Sequence, residues 1–112
     1  MDRLDQLLAR SRREIEAHTD DLISTDTGRY FIIEASRLLA GLRLWAQIHD
    51  QTDQAVREVL EAGDLAVFNA VARELRSTRT RDGRVAGRSV ASIANRSPGE
   101  LAAVAAYALR AL

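Results

Sequence analysis

The segment from Arg29 to Gly63 most constrains the fold, because it carries a long apolar seam with helical spacing. From Phe31 onward, alternating steps of four and three residues give a seam that is apolar except at its sixth and seventh members. Its members are Phe31, Ala35, Leu38, Leu42, Trp45, His49, Thr52, Val56 and Val59. A 3.5-residue repeat is typical of a helix that packs lengthwise against another helix. Additional apolar residues between Phe31 and Ile48 predict that this helix is buried on more than one side.

Asp50 and Asp53 leave an alternative open within this segment. An aspartate at the N-cap of a helix can accept hydrogen bonds from the free N–H groups of the first turn. The chain can therefore form one continuous helix, or break between His49 and Thr52 and start a new one.

A similar seam precedes this segment and predicts a first helix from Asp2 to about Ile23. The turn-forming residues 24–28 separate the two helices, and so short a connection favours an antiparallel helical hairpin. If Leu22 lies near Phe31, then Ser11 lies opposite Leu42, and Trp45 packs against the end of the first helix that holds Leu4 and Leu8.

Gly63 is typical of a helix C-cap and Asp64 of a helix N-cap. The second helix is therefore expected to end here, and a third helix is expected from Leu65 to Arg76. Residues 1–76 are thus assigned to the hairpin and this third helix. Residues 77–88 are predicted to form an arginine-rich loop, because Asp82-Gly83 is a turn signal and Gly87 is a second helix breaker. Residues 89–112 are assigned to a C-terminal docking helix region of the same domain.

The C-terminal helix has the clearest local start signal. Ser97 at the N-cap, Pro98 at the first helical position and Glu100 at the third form a capping box with the favoured proline. The helix offers mainly aliphatic side chains, so it is predicted to dock on a partner. The predicted docking residues are Leu101, Val104, Ala108, Leu109 and Leu112.

Composition excludes several kinds of chemistry. The chain of 112 residues has no cysteine, which excludes thiol nucleophiles, disulfides and cysteine-ligated metals. All sixteen cationic residues are arginine, which excludes a phosphate-binding P-loop lysine and a lysine Schiff base. The formal net charge is zero, so a charge-driven partner has to use a local patch.

The most apolar stretch is long enough to cross a bilayer but carries Arg29, Glu34, Arg37 and Arg43. Charged side chains are costly in hydrocarbon. The N-terminus lacks the apolar core and cleavage pattern of a secretory signal. A cytoplasmic protein without a membrane partner is therefore expected.

The two histidines pair with carboxylates at helical spacing, His18 with Glu14 and His49 with Asp53. Neither pair matches a known metal-site motif, and the hairpin register puts the histidines roughly 20 Å apart. Glu34, near Tyr30 and Arg37, is typical of an ion pair rather than a general acid. We therefore assign no catalytic, cofactor-binding or metal-binding residue, and predict that the protein is not an enzyme and needs no cofactor.

The arginine-rich segment is the strongest candidate for a functional site. Its arginines alternate with hydroxyl side chains and can contact phosphates, whereas it has no aromatic residue for base stacking. A solvated linker, ion pairing with acidic faces of the bundle, and docking of a protein remain alternatives. The predicted contact residues are Arg73, Arg76, Arg79, Arg81, Arg84 and Arg88.

The sequence thus predicts an all-α fold, a helical hairpin plus additional helices in a small dimeric bundle. The favoured function is a small non-enzymatic interaction module, an accessory or regulatory subunit that acts through helix-mediated assembly as a homo-oligomer or with a protein partner. The alternative is a nucleic-acid-associated accessory protein that uses the arginine-rich segment. A third, weaker hypothesis is a small-ligand or metal-binding bundle centred on Tyr30, Glu34, Trp45 or His49.

Overall fold

Residues 3–19 and 25–112 are described in the computed structural model, and they form six helices and no strand. The all-α prediction is confirmed for this part of the chain. The helices are α1 (Arg3–Ala17), α2 (Asp26–Ile48), α3 (Asp53–Ala62), α4 (Leu65–Ser77), α5 (Arg81–Ala94) and α6 (Pro98–Leu109). None of these six is both long enough and apolar enough to cross a bilayer.

Helix α2 lies at the centre of the bundle, and each of the other five helices contacts it. Its buried residues lie on several faces, as the extra apolar positions predict. Gly41 marks the point where α5 crosses α2, because a Cβ atom there would lie 2.7 Å from Cγ2 of Val90. This helix therefore serves as the scaffold on which every candidate surface is built.

Helices α1 and α2 form the predicted antiparallel hairpin. Leu7 shares a cavity wall with Gln47, and the Ser11 hydroxyl accepts a hydrogen bond from Arg43 at 3.1 Å, so the register agrees with the prediction to within one residue. Helix α1 ends at Ala17, earlier than predicted, and the buried hydroxyl of Thr19 donates to the Ile15 carbonyl. The predicted pairing of Leu22 with Phe31 falls outside the described residues.

The chain breaks between His49 and Thr52, which confirms the second of the two alternatives. Thr52, not Asp50, is the N-cap of α3, and its hydroxyl accepts from the Gln54 N–H. Asp50 itself has a left-handed backbone (φ 54°), whereas an N-cap residue is normally extended. The indole N–H of Trp45, half-buried near this break, donates to Glu74 of α4.

The predicted start and stop signals between the later helices are confirmed. Gly63 has φ 60° and ends α3, and Asp64 caps α4 by accepting from the Ala66 N–H at 2.9 Å. Ser97 caps α6 by accepting from the Glu100 N–H, and Pro98 follows it.

Residues 77–88 differ from the predicted loop, since only residues 78–80 connect α4 to α5. Gly83 and Gly87, interpreted as breakers, lie inside α5. A Cβ atom at Gly87 would lie 2.8 Å from the Ala72 carbonyl oxygen, and one at Gly83 would lie still closer to the Leu75 carbonyl oxygen. These glycines allow α4 and α5 to pack backbone against backbone, and that contact outweighs their low helix propensity.

The predicted docking face of α6 is largely occupied within the chain. Leu101, Val104 and Ala108 are buried, because α6 covers apolar flanks of α2 and α3. Val104 and Ala108 have no exposed surface for contact with a second chain, which corrects the sequence-based assignment for these two residues. Leu101 is 9% exposed, and its role in docking stays a prediction. Leu109 and Leu112 are half-buried against the same core.

Candidate functional site

Six arginines on α4, α5 and their connection are exposed, and we call this set the arginine surface. All six side chains belong to exposed residues. The members are Arg73 and Arg76 of α4, Arg79 of the connection, and Arg81, Arg84 and Arg88 of α5.

The antiparallel packing of α4 on α5 brings these arginines together. Leu75 lies beside Gly83, Ala72 lies beside Gly87, and Asn69 is hydrogen bonded to Asn95. The aliphatic part of Arg76 lies against Gly87, since a Cβ atom there would be 2.7 Å from its Cγ. Arg76 thus contacts α5 at Gly87, which lies one residue before Arg88 and three residues after Arg84 along that helix.

The acidic residues of this region bind elsewhere. Glu74 accepts from the Trp45 indole at 2.7 Å and lies 2.9 Å from Nε2 of His49. Asp82 accepts from the backbone N–H of Leu4 and lies 3.8 Å from Arg81. The negative charges within the segment are therefore directed toward α1 and α2.

Five members of the arginine surface have no ion pair within the described residues: Arg73, Arg76, Arg79, Arg84 and Arg88. Most arginines elsewhere in the described residues do have one, for example Arg10, Arg12, Arg57 and Arg96. For these five arginines, the described residues show no pairing with acidic faces of the bundle, which was one of the alternatives from the sequence.

A second polar cluster joins α2 to α6 through Arg96, at the connection from α5. Its guanidinium donates to the Tyr30 hydroxyl at 3.1 Å and lies 3.4 Å from both Glu34 and Glu100. Partial burial raises the pKa of the Tyr30 phenol, against the opposing charge of Arg96 and with further contributions from the two glutamates. The phenol therefore keeps its proton at neutral pH and can donate to Glu100.

An open apolar groove of about 500 Å³ lies beside α6. Its walls come from α3, α4, the end of α5 and α6, and two predicted docking residues, Leu101 and Leu109, line it. Leu65 at the start of α4 also lines the groove and is 45% exposed. The remaining side chains of the wall are mostly aliphatic, with Glu61 and Arg96 as its charged members.

Among the described residues, Arg43 is the most deeply buried charged side chain, and sequence reasoning did not identify its role. It binds Glu14 of α1 and Asp53 of α3 through two hydrogen bonds each, and also Ser11. Burial alone would lower the pKa of Arg43, but the hydrogen bonds and charges of the two carboxylates raise it above its usual value. Arg43 therefore stays protonated and holds three helices together.

The predicted histidine pairs are not the contacts that form. His49 lies against Glu74, whereas Asp53 binds Arg43, and His18 is exposed beyond the end of α1. Among residues 3–19 and 25–112, no three or more His, Asp or Glu side chains are arranged to hold a metal ion.

Searches among protein-family models, curated proteins and solved structures gave no match to the chain.

Proposed function

We propose that this protein is a nucleic-acid-associated accessory protein that contacts phosphate groups through the arginine surface. The observation that carries the proposal is the set of five exposed arginines without an ion pair on one rigid helical hairpin. Exposed cations that no internal carboxylate neutralises are free to bind an anionic partner, although the net charge of the chain is zero.

Guanidinium groups suit this role because they bind phosphate oxygens through two parallel hydrogen bonds. Arg81 and Arg88 lie seven residues apart on α5, which corresponds to about 10 Å and so to about three nucleotides of one strand. The segment contains no aromatic side chain for stacking on bases. Binding is therefore expected to follow the sugar-phosphate backbone and to depend little on base sequence.

Replacing Arg73, Arg76 and Arg84 together with glutamine is expected to weaken DNA binding strongly. Glutamine retains the methylene groups that pack at Gly87 but removes three charges. For duplex DNA, log K falls with log salt concentration, and each phosphate contact contributes about 0.9 to the steepness of this fall. Losing three contacts should therefore make the slope shallower by about 3. Fluorescence anisotropy of a labelled duplex over a salt series measures both quantities.

The matched control changes the same number of exposed arginines elsewhere, at Arg13, Arg29 and Arg110. This control should keep the wild-type slope. Equal losses in the two triple variants would mean that binding reflects overall charge and not the arginine surface. No binding of the wild-type protein to DNA or RNA at low salt would contradict the proposal itself.

A second candidate function is helix-mediated assembly of two copies at the apolar groove. One observation favours it: exposed Leu65 lies at the rim of the concave groove, so the same patch offers a projecting apolar side chain and a cavity to receive it. A two-fold interface needs such self-complementarity, because each copy presents the same surface. An accessory or regulatory subunit of this kind would act as a homodimer.

Leu65→Glu is expected to convert such a dimer to monomer in sedimentation velocity experiments at high micromolar concentration. An unpaired buried carboxylate costs several kcal/mol, enough to weaken association at least about a hundredfold. Val85→Glu is the control, because Val85 of α5 is 37% exposed and does not line the groove. A wild-type protein that sediments as a monomer at this concentration would refute assembly.

A further inference from the structure

A cavity of about 180 Å³ opens between α2 and α5, beside the polar cluster of Arg96. Its wall is rich in hydrogen-bond donors and contains one carboxylate. The lining residues are Glu34, Arg37, Arg88, Ser89, Ser92, Ile93 and Arg96. Arg88 is the one residue that this cavity shares with the arginine surface.

Three of the donors have no partner among the described residues: the guanidinium of Arg88 and the hydroxyls of Ser89 and Ser92. A serine or threonine hydroxyl in a helix commonly donates to a backbone carbonyl of the preceding turn. Ser36 does so to Ile32 at 2.6 Å, and Ser77 does so to Glu74 at 2.7 Å. The two serines of the cavity do not, so their hydroxyls are available to a ligand.

Glu34 acts as a positioning residue beneath this wall. Its side chain is only 9% exposed, with Oε1 lying 3.5 Å from Arg37 and Oε2 lying 3.4 Å from Arg96. Oε2 is buried and accepts no hydrogen bond within the described residues. The carboxylate thus holds two guanidinium groups from the inner side. Arg96 also contacts Tyr30 and Glu100, so Arg37 is the one of the two whose outer N–H groups are left for a ligand.

The charge of the cavity favours an anion. Three arginines against Glu34 leave an excess of two positive charges, or of one when Glu100, which is paired with Arg96, is included. The donors outnumber the acceptors, so a suitable ligand presents several acceptor oxygens. The volume is well above the roughly 30 Å³ that one water molecule takes up in the liquid. A tetrahedral oxyanion therefore matches the cavity in charge, hydrogen bonding and size.

We propose that this cavity binds a phosphate group, with Arg88, Ser89, Ser92 and the outer nitrogens of Arg37 as its donors. The phosphate can belong to a free phosphate compound or to the end of a nucleic-acid strand. The site does not depend on the proposed nucleic-acid function, because the triple variant that tests that function leaves all of these donors in place.

Isothermal titration of the full chain with inorganic phosphate, at constant ionic strength, tests the site. Saturable binding at one site is expected. Arg88→Gln should weaken it at least about tenfold, since it removes a charge-assisted hydrogen bond, and the Ser89→Ala, Ser92→Ala double variant should do the same. Arg84→Gln removes an equal charge from the same helix outside the cavity, and should change the affinity by less than about twofold. The absence of saturable binding, or equal effects of Arg84→Gln and Arg88→Gln, would overturn the proposal.

The double serine variant keeps all charges and adds alanine, which favours helix, so folding is expected to persist and circular dichroism checks it. Comparing oligonucleotides with and without a 5′-phosphate then separates the two sources of the ligand. A preference for the phosphorylated strand that the serine variant abolishes identifies a strand end, whereas equal binding of both strands identifies a free phosphate compound. The arginine-surface triple variant should lose strand binding but keep the wild-type affinity for inorganic phosphate. That result would show that the cavity and the arginine surface are separate sites.

Discussion

Gly83→Ala is expected to lower the free energy of unfolding by more than about 3 kcal/mol, beyond the usual cost of overpacking. The added Cβ atom would lie well under 3.0 Å from the Leu75 carbonyl oxygen and from the Thr78 hydroxyl. The hydroxyl can rotate away, but the carbonyl belongs to the backbone of α4. Relief therefore requires α4 and α5 to separate, which opens the contact that packs Ala72 and Leu75 into the core. Urea denaturation followed by circular dichroism measures the change.

Gly99→Ala is the matched control, because a Cβ atom at Gly99 would have no neighbour within 4 Å. Gly99 lies in the first turn of α6, where alanine has the higher helix propensity, so this change should be neutral or stabilise by up to about 1 kcal/mol. Similar urea midpoints for the two alanine variants would contradict the tight contact between α4 and α5. The arginine surface would then lack the rigid hairpin on which its proposed role depends.

Helix boundaries were predictable where they depend on residues close in the chain. Asp64 and Ser97 cap their helices through contacts within three residues, so the printed sequence contains the whole interaction. The prediction failed over residues 81–88 for the opposite reason. Gly83 and Gly87 are poor helix formers locally, and the contact that compensates comes from α4.

The residues of the arginine surface were also predictable, but the ion pairs that these residues form or lack were not. The six arginines are evident from the sequence, whereas the lack of a carboxylate partner for five of them depends on the contacts of Glu74 with α2 and of Asp82 with α1. Ser89 and Ser92 belong to no recognisable motif in the sequence, because the cavity that they line forms only where α5 packs on α2. From the sequence, Arg43 is evident only as a charge that opposes membrane insertion. Its structural role could not be predicted, because its partner Glu14 lies 29 residues away in the chain.

Neutralising Glu14 and Asp53 together is expected to destabilise the protein by about 3 to 5 kcal/mol, as is usual when a buried charge loses its partners. The Arg43 side chain is 2% exposed, so water cannot replace the carboxylates in the Glu14→Gln, Asp53→Asn variant. Arg43 cannot relieve this cost by losing its proton. An arginine stays protonated at neutral pH even without partners. In the wild-type protein the two carboxylates raise the pKa of Arg43, so their contribution to stability is present below the unfolded-state pKa and is lost only as the pH rises through the higher folded-state pKa.

Arg43→Met should cost less, about 2 kcal/mol, mainly because the buried Ser11 hydroxyl loses its donor. The two carboxylates it leaves behind are 31% and 48% exposed and can be hydrated. Adding Arg43→Met to the doubly neutralised variant removes the uncompensated charge. The urea midpoint of this triple variant should therefore be higher than that of the double variant. Arg12→Met with Glu16→Gln, which removes an exposed pair, should cost less than about 1 kcal/mol and serves as the control. If the triple variant is instead less stable than the double variant, the carboxylates do not compensate a buried charge, and Arg43 stabilises the junction of α1, α2 and α3 mainly through its packing.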